Sequence, residues 1–353
     1  FADDVRWDLM PICLISVTTD NGLVGLGETA RGISLESLRP WLKQLPGIEI
    51  HGWSPASLPQ TWRGQTLHNL FTRHPAPLWS SQSPLAFALE TAFLDLAGKR
   101  LGCRVVDLLG GAYVETIPVH YWCARQTPED ISLTARKAKS LGFRGIKIKS
   151  KLGDPVVEQV EAIRQAAGSD FHVTIDPMFQ WCSPLDALPI LKKLETLGDR
   201  IVIEDPFPQD MPEFWLRARS VCSIPLLWHA RSLEILRRGL QSRCADGFNC
   251  GGGLVEFATL SHAVEVAGYS CWHGTSIEMG VAQVAHMHAA AAARSCVLPS
   301  DFVSGLIREH TLIRWNWPYQ NGTIALPSEP GLGIELDCNA LENYTKAKVA
   351  FSH

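Results

Sequence analysis

The sequence predicts a (β/α) barrel carrying a small α+β cap, on three observations. The chain has 353 residues, too many for one simple domain but suited to a barrel of about 250 residues plus a cap. After Thr116, short apolar runs alternate with amphipathic helical stretches, and eight such runs recur roughly every 20–30 residues. The far ends of these runs carry charged residues one after another, which is where a barrel keeps its chemistry.

The elements follow in order. Residues 11–28 read as a hairpin: a strand-like run from Pro11 to Val17, a turn at Asp20-Asn21-Gly22, and a return from Leu23 to Glu28. From Ser83 to Leu101 the pattern is helical. Ser83 can cap, Pro84 occupies the first position, and Leu85, Leu89, Phe93 and Leu96 share one face. The barrel strands are read at Val119–Cys123, Gly145–Lys149, His172–Asp176, Ile201–Glu204, Pro225–His229, Gly247–Cys250, Tyr269–His273 and, faintly marked, Cys296–Leu298. Thr127-Pro128 opens the first intervening helix. Regular spacing and the lack of a GxGxxG loop argue against a doubly wound open sheet. The expected division is a cap over residues 1–115, a TIM-type barrel over 116–315, and a turn-rich segment over 316–353 that rejoins the cap.

Composition removes several function classes. Hydrophobic residues make up 46%, enough for a large core, yet no apolar run reaches the ~18 residues of a membrane helix. The net charge of −4 and the absence of a Lys/Arg cluster give no nucleic-acid footprint. Ten cysteines without a CxxC pair suit a reduced, cytoplasmic protein better than a disulfide framework. The chain starts at Phe1 rather than Met, and the native N-terminus is expected upstream.

The strand ends hold the candidate site. In Ile146-Lys147-Ile148-Lys149 the period-two alternation puts both lysines on one face. Two lysines facing a barrel interior are costly unless anions neutralise them. The next strands supply Asp176 and Glu204. His229 ends the fifth strand, Asp246 and Asn249 belong to the sixth, and His273 ends the seventh. Asp246, one strand from His273, is expected to orient its imidazole. His286 and His288 lie within a helix and read as structural.

These residues and the segments around them resemble the enolase superfamily, in its mandelate racemase and muconate lactonizing enzyme family, mandelate racemase-like branch. The motifs are TTDNGLVGLGE ending at Glu28, ALETAFLDLAGKRLG, LLGG, GIKIK, TIDP, IEDPF, the glycines after Asn249, and LPSEPGLGIELD. The resemblance spans nearly the whole chain. It implies an enzyme that binds a small carboxylate substrate on Mg²⁺, removes its α-proton and stabilises the resulting enediolate. By position, Lys149 resembles the general base, Lys147 the holder of the substrate carboxylate, and Asp176 and Glu204 metal ligands. His273 with Asp246 resembles the acid/base on the opposite face, and Asp301 a residue that hydrogen-bonds the substrate carboxylate. A homo-oligomer is expected.

The chain also departs from the pattern. The third metal ligand is ordinarily a carboxylate on the fifth strand, and here the position holds His229 or Ala230, depending on alignment. An imidazole ligand would favour Mn²⁺ or another softer ion over Mg²⁺. Pro177-Met178 replaces the polar residue that often follows the first ligand. The sixth strand has Asn249 where cycloisomerising and dipeptide-epimerising relatives carry a lysine. The expected reaction is dehydration of an acid sugar, with racemisation of a 2-hydroxy acid second and a non-catalytic relative as the rival. Specificity is expected in cap loops within residues 1–10 and 30–80, where Trp53, Trp62 and Trp79 lie.

Overall fold

The computed structural model describes residues 9–43, 45–47 and 85–352. Ser83, Pro84, Trp53, Trp62 and Trp79 lie outside the described residues. The cap begins with β1 (Leu14–Thr18) and β2 (Val24–Glu28), an antiparallel hairpin in the register Leu14↔Glu28. Gly22 takes the left-handed turn between them at φ 83°. Helix α1 (Leu35–Leu42) follows, then α2 (Ala86–Leu101) and the short α3 (Val105–Leu108). Helix α2 lies on β2, and a Cβ at Gly25 or Gly27 would strike its backbone at Ala92 or Ala88. The glycines of VGLGE thus set how closely helix and hairpin approach. Ile15, Leu38, Leu85, Leu89, Phe93 and Leu96 form a separate small core there.

The chain then enters β3 (Thr116–Pro118), β4 (Tyr121–Cys123), α4 (Pro128–Ser140), β5 (Gly145–Lys149) and α5 (Val156–Ala167). It continues through β6 (His172–Asp176), α6 (Pro184–Glu195), β7 (Ile201–Glu204), α7 (Pro212–Arg219) and β8 (Leu226–Ala230). Next come α8 (Leu233–Ser242), β9 (Gly247–Cys250), α9 (Leu254–Val266), β10 (Cys271–His273) and α10 (Gly280–Ala292). Thr127 caps α4 by accepting the Asp130 N–H at 3.2 Å, with Pro128 at the first position.

Strands β4 to β10 form one parallel sheet in sequential order. The segment from Ser295 to Ser300 closes it. It bridges Cys271 through Cys296 on one side and Val119 through Ser300 on the other. The fold is a (β/α) barrel whose eighth position is a nearly irregular strand. Further along, β11 (Thr323–Ala325) pairs with β3, and Asp95 of α2 accepts the N–H groups of Leu26 and Leu332. His288 of α10 accepts the Val106 N–H and pairs with the Leu332 carbonyl, a structural role. All ten cysteines are free. No helix among the described residues is long and apolar enough to cross a membrane.

Two carboxylates of the cap seat it on the barrel. Glu90 of α2 accepts the N–H groups of Leu254 and Val255 at the start of α9. Glu28 of β2 accepts those of Met279 and Ala282 at the start of α10. Each carboxylate meets the unpaired amides and positive end of a helix.

Candidate active site

Strand pleating decides which side chains enter the barrel. On β5 both Lys147 and Lys149 point inward. Lys147 Nζ lies 2.6 Å from Glu204 and 3.4 Å from both Asp176 and Asp301. Lys149 Nζ is paired with Asp176 Oδ2. All five charged groups are buried or nearly so, which only their mutual compensation makes tolerable. The structure therefore brings Lys147, Lys149, Asp176, Glu204 and Asp301 together at one rim.

The charges shift one another. Burial lowers the Lys147 pKa, but Asp301, Glu204 and Asp176 outweigh it and hold the ammonium well above its usual value. Burial raises Asp176, and Lys149 and Lys147 overcome this and bring it to about 2. Glu204 is pushed up by burial and by the Asp176 charge. Asp205 is pushed well up by burial, Glu204 and Asp176. Burial, with Arg231 and Lys147, lowers His229 well below the ordinary imidazole range. His229 is thus neutral, the form in which imidazole binds a metal.

The fifth strand resolves its own ambiguity. His229 turns inward, with Nδ1 4.0 Å from Glu204 Oε1 and 3.8 Å from Asp205 Oδ2. Ala230, one step on, faces the helix layer as the pleat requires. Glu204, Asp205 and His229 each offer one ligand atom, and these atoms lie within 4.8 Å of one another. That donor set fits a divalent cation, with one nitrogen among oxygens.

Two expected residues lie elsewhere. Asp246 precedes β9, at the barrel's opposite end, where it pairs with Arg219 and accepts the Leu226 N–H at 2.9 Å. His273 points outward. Its ring sits 4.2 Å from Phe257 of α9 and 4.2 Å from His286 of α10, and Nδ1 pairs with the Gly274 carbonyl. Burial lowers its pKa to about 3. The Asp246–His273 pair does not form. Strand-end position was read correctly for His273, but its parity puts Trp272 inside, 5.7 Å from Lys147 Nζ.

From sequence, three residues that the structure brings to the site carry no structural role, although Asn249 stands out as the replacement for a lysine. Asn249 points inward and donates through Nδ2 to Glu204 Oε1 at 2.5 Å. Asp205 joins the rim from a left-handed backbone, φ 47°. Glu278, just before α10, is raised to about 8 by burial, with Glu28 and Asp301 adding to the rise. Inward parity identifies Asn249 and Trp272 once the strands are set. Asp205-Pro206 signals the end of the strand, but strand alternation does not predict the left-handed bend that returns Asp205 to the rim.

The family model described as enolase C-terminal domain-like matches residues 130–340. The N-succinyl-L-Arg/Lys racemase of Bacillus cereus is 27% identical over 350 residues, covering 95% of this chain and 90% of the racemase. Its crystal structure superimposes with a TM-score of 0.78 at 26% identity, covering 96% of this chain and 91% of that one. The L-Ala-D/L-Glu epimerase of Bacillus subtilis is 26% identical, covering 91% of this chain and 88% of the epimerase. A D-galactonate dehydratase of Xanthomonas euvesicatoria is 24% identical, covering 92% and 88%.

Proposed function

We propose, on the premise that this chain belongs to the enolase superfamily and its mandelate racemase and muconate lactonizing enzyme family, that it is a hydro-lyase. It would remove the α-proton of a sugar acid through an enediolate and expel the β-hydroxyl. The observation that carries this reading is the placement of Lys149 beside Lys147, with Asn249 and Trp272, among the described residues, on the wall opposite.

Lys149 is the base. It must be neutral when it acts, and the ammonium it becomes is received by Asp176, its present partner. Lys147 faces the substrate carboxylate, and Asp301 steadies Lys147 from the far side. A divalent cation held by Glu204 and His229 would supply charge against the negative density that builds on the carboxylate oxygens. Mg²⁺ is the family's usual ion, and the imidazole favours Mn²⁺ or a similar softer one. Asn249 fixes Glu204 by its hydrogen bond.

The choice of elimination rests on the opposite wall. In an eight-stranded barrel, β9 stands across from β5. Among the described residues, β9 and β10 present Asn249 and Trp272 there. Neither exchanges a proton at neutral pH. Racemisation must return the proton to the face opposite the one it left, whereas elimination need not. Lys149 takes the α-proton, the C–O bond breaks, and the same ammonium protonates the departing hydroxyl to water.

Racemisation of a 2-hydroxy acid is the second reading, favoured by the likeness to racemases and epimerases. The experiment is a sugar-acid library incubated with the protein and Mn²⁺ or Mg²⁺ in D₂O. Keto-acid product with one substrate supports dehydration. Inverted, deuterated substrate without keto acid establishes the second reading. No metal binding and no exchange with any acid would leave a non-catalytic relative.

A further inference from the structure

We propose that Asn249 selects the substrate by accepting a hydrogen bond from its α-hydroxyl through Oδ1, on the wall opposite Lys149. That contact presupposes the sugar-acid reading above and deepens it, since the α-hydroxyl is what separates a 2-hydroxy acid from other small carboxylates. The bond to Glu204 uses only the other end of the same carboxamide.

Position is the first observation. His229, Asn249 and Trp272 are register partners across β8, β9 and β10, and form one layer of inward side chains. Gly274 stands two residues past Trp272 and shares its parity. A Cβ on Gly274 would collide with Asn249 Oδ1. The oxygen therefore lies over Gly274, where a side chain would otherwise project into the mouth. Gly274 is not among the left-handed glycines, so the close approach of the carboxamide is what requires it.

The second observation is that the carboxamide can face only one way. An ionised carboxylate accepts hydrogen bonds and donates none. Glu204 Oε1 therefore meets Nδ2, at 2.5 Å, and this holds whether or not the carboxylate also carries a cation. Turning the amide over would set two acceptors against each other. Oδ1 is thereby aimed away from Glu204.

The third observation is that Oδ1 is orphaned. Asn249 is 2% exposed, and its Oδ1 accepts no hydrogen bond from any described residue. A buried acceptor without a donor is costly, and in a native site it calls for a ligand or a water. A neutral carboxamide oxygen suits a neutral donor, an O–H or an amide N–H, whereas an ammonium is better matched by a carboxylate. In the elimination, the α C–H and the departing β C–O both turn to Lys149, and the carboxylate faces Lys147. The α-hydroxyl is left to point at the far wall, where Oδ1 waits. No bond is made or broken at Asn249; it holds the hydroxyl, and through it the face of the α-carbon that Lys149 attacks.

The test compares three acids of one skeleton: the six-carbon aldonate that the parent processes fastest, its 2-deoxy analogue, and its 2-acetamido-2-deoxy analogue. Cleavage of the α C–H bond is measured in D₂O at saturating Mn²⁺, as deuterium uptake plus elimination product by mass spectrometry. The parent should favour the hydroxy acid over the deoxy acid by about tenfold or more in kcat/KM, the scale of a buried polar group left unpaired. Asn249→Ala should lower that ratio at least about fivefold. Gly274→Ala, which displaces the carboxamide without removing it, should lower it too. Damage passed through Glu204 falls on both acids alike and cancels in the ratio. Calorimetric dissociation constants give the same ratio for any variant too slow to follow. A ratio unchanged in both variants overturns the assignment, leaves Oδ1 to water, and lets the sugar-acid reading stand. An acetamido acid that outpaces the hydroxy acid and suffers in both variants makes an amide N–H the donor, and overturns the hydroxyl assignment and the sugar-acid reading together. If the parent cleaves the α C–H bond of no aldonate, that reading fails and the assignment with it.

Discussion

Lys147 places its Nζ 2.6 Å from Glu204 Oε2, and this ion pair is the centre of a cluster that also takes in Asp176 and Asp301. Removing the cation from such a group leaves buried carboxylates facing one another. Breaking a buried pair from one side costs about 3–5 kcal/mol. Lys147→Met should therefore lower thermal stability by several degrees in chelator at pH 7. Added Mn²⁺ should return part of the loss, because it supplies positive charge to the same carboxylates. Equal melting temperatures for parent and variant in chelator would mean that Lys147 does not compensate these acids.

Lys149→Ala should abolish turnover and α-proton exchange together, by about 10²–10⁴-fold or more for a positioned base. It should leave the far-ultraviolet circular dichroism spectrum unchanged. Asp176 loses one partner but keeps Lys147 and the Met178 N–H. Exchange of the α-proton persisting at the parental rate would remove Lys149 from the chemistry.

His273 offers the sharpest separation between site and scaffold. Its ring packs between Phe257 and His286 in the helix layer. His273→Phe should leave kcat within about threefold of the parent while changing stability by about 1–3 kcal/mol, the usual cost of altered packing. Asp246→Asn should likewise spare catalysis, since it disturbs only the Arg219 pair and the Leu226 amide. A loss of activity in His273→Phe comparable to that of Lys149→Ala would return the imidazole to the mechanism.

The contrast between Lys149 and His273 shows what was readable in the sequence. Barrel, hairpin and strand ends were legible because apolar periodicity and turn residues are local signals. On β5 the alternation of isoleucine and lysine also gave the facing, since a lysine pair cannot sit in the apolar layer without compensation. On β10 every side chain of Cys-Trp-His tolerates burial, so composition left the parity open. The eighth strand was faint because it is held by isolated bridges at Cys296 and Ser300 rather than by a ladder. The return of Asp205 to the rim was invisible for a different reason: its backbone departs from the strand geometry that alternation assumes.

Asn249 tests how far the site depends on a single neutral hydrogen bond. Its Nδ2 bonds Glu204 Oε1, one of the atoms that would ligate a cation. Asn249→Ala should loosen that carboxylate and weaken Mn²⁺ binding about 10–100-fold, as removal of such supporting partners commonly does. Parental Mn²⁺ affinity in this variant would show that Glu204 is held well enough by Lys147 alone.

Glu90 gives a pH dependence with a definite sign. Burial raises its pKa from the ordinary 4.5 to about 7, even though the Val255 and Leu254 amides oppose the rise. Between those two values the folded protein keeps a proton that the unfolded chain has released. Folding stability contributed by this group therefore falls as pH rises through the window from 4.5 to 7, by roughly 3 kcal/mol in total. Gln cannot ionise and has nearly the same shape, so Glu90→Gln should lack this slope. Near pH 5, where Glu90 is protonated in the folded state, parent and variant should differ little. Near pH 8 the variant should be the more stable, less whatever the ionised carboxylate gains at the helix N-terminus. The buried histidines His120, His273 and His288 have lowered pKa values and titrate the other way. They are common to both proteins and cancel in the difference. Urea unfolding at pH 5, 6.5 and 8 reads that difference directly. A stability difference between Glu90→Gln and the parent that stays constant across the three pH values would show that Glu90 is ionised in the folded protein throughout.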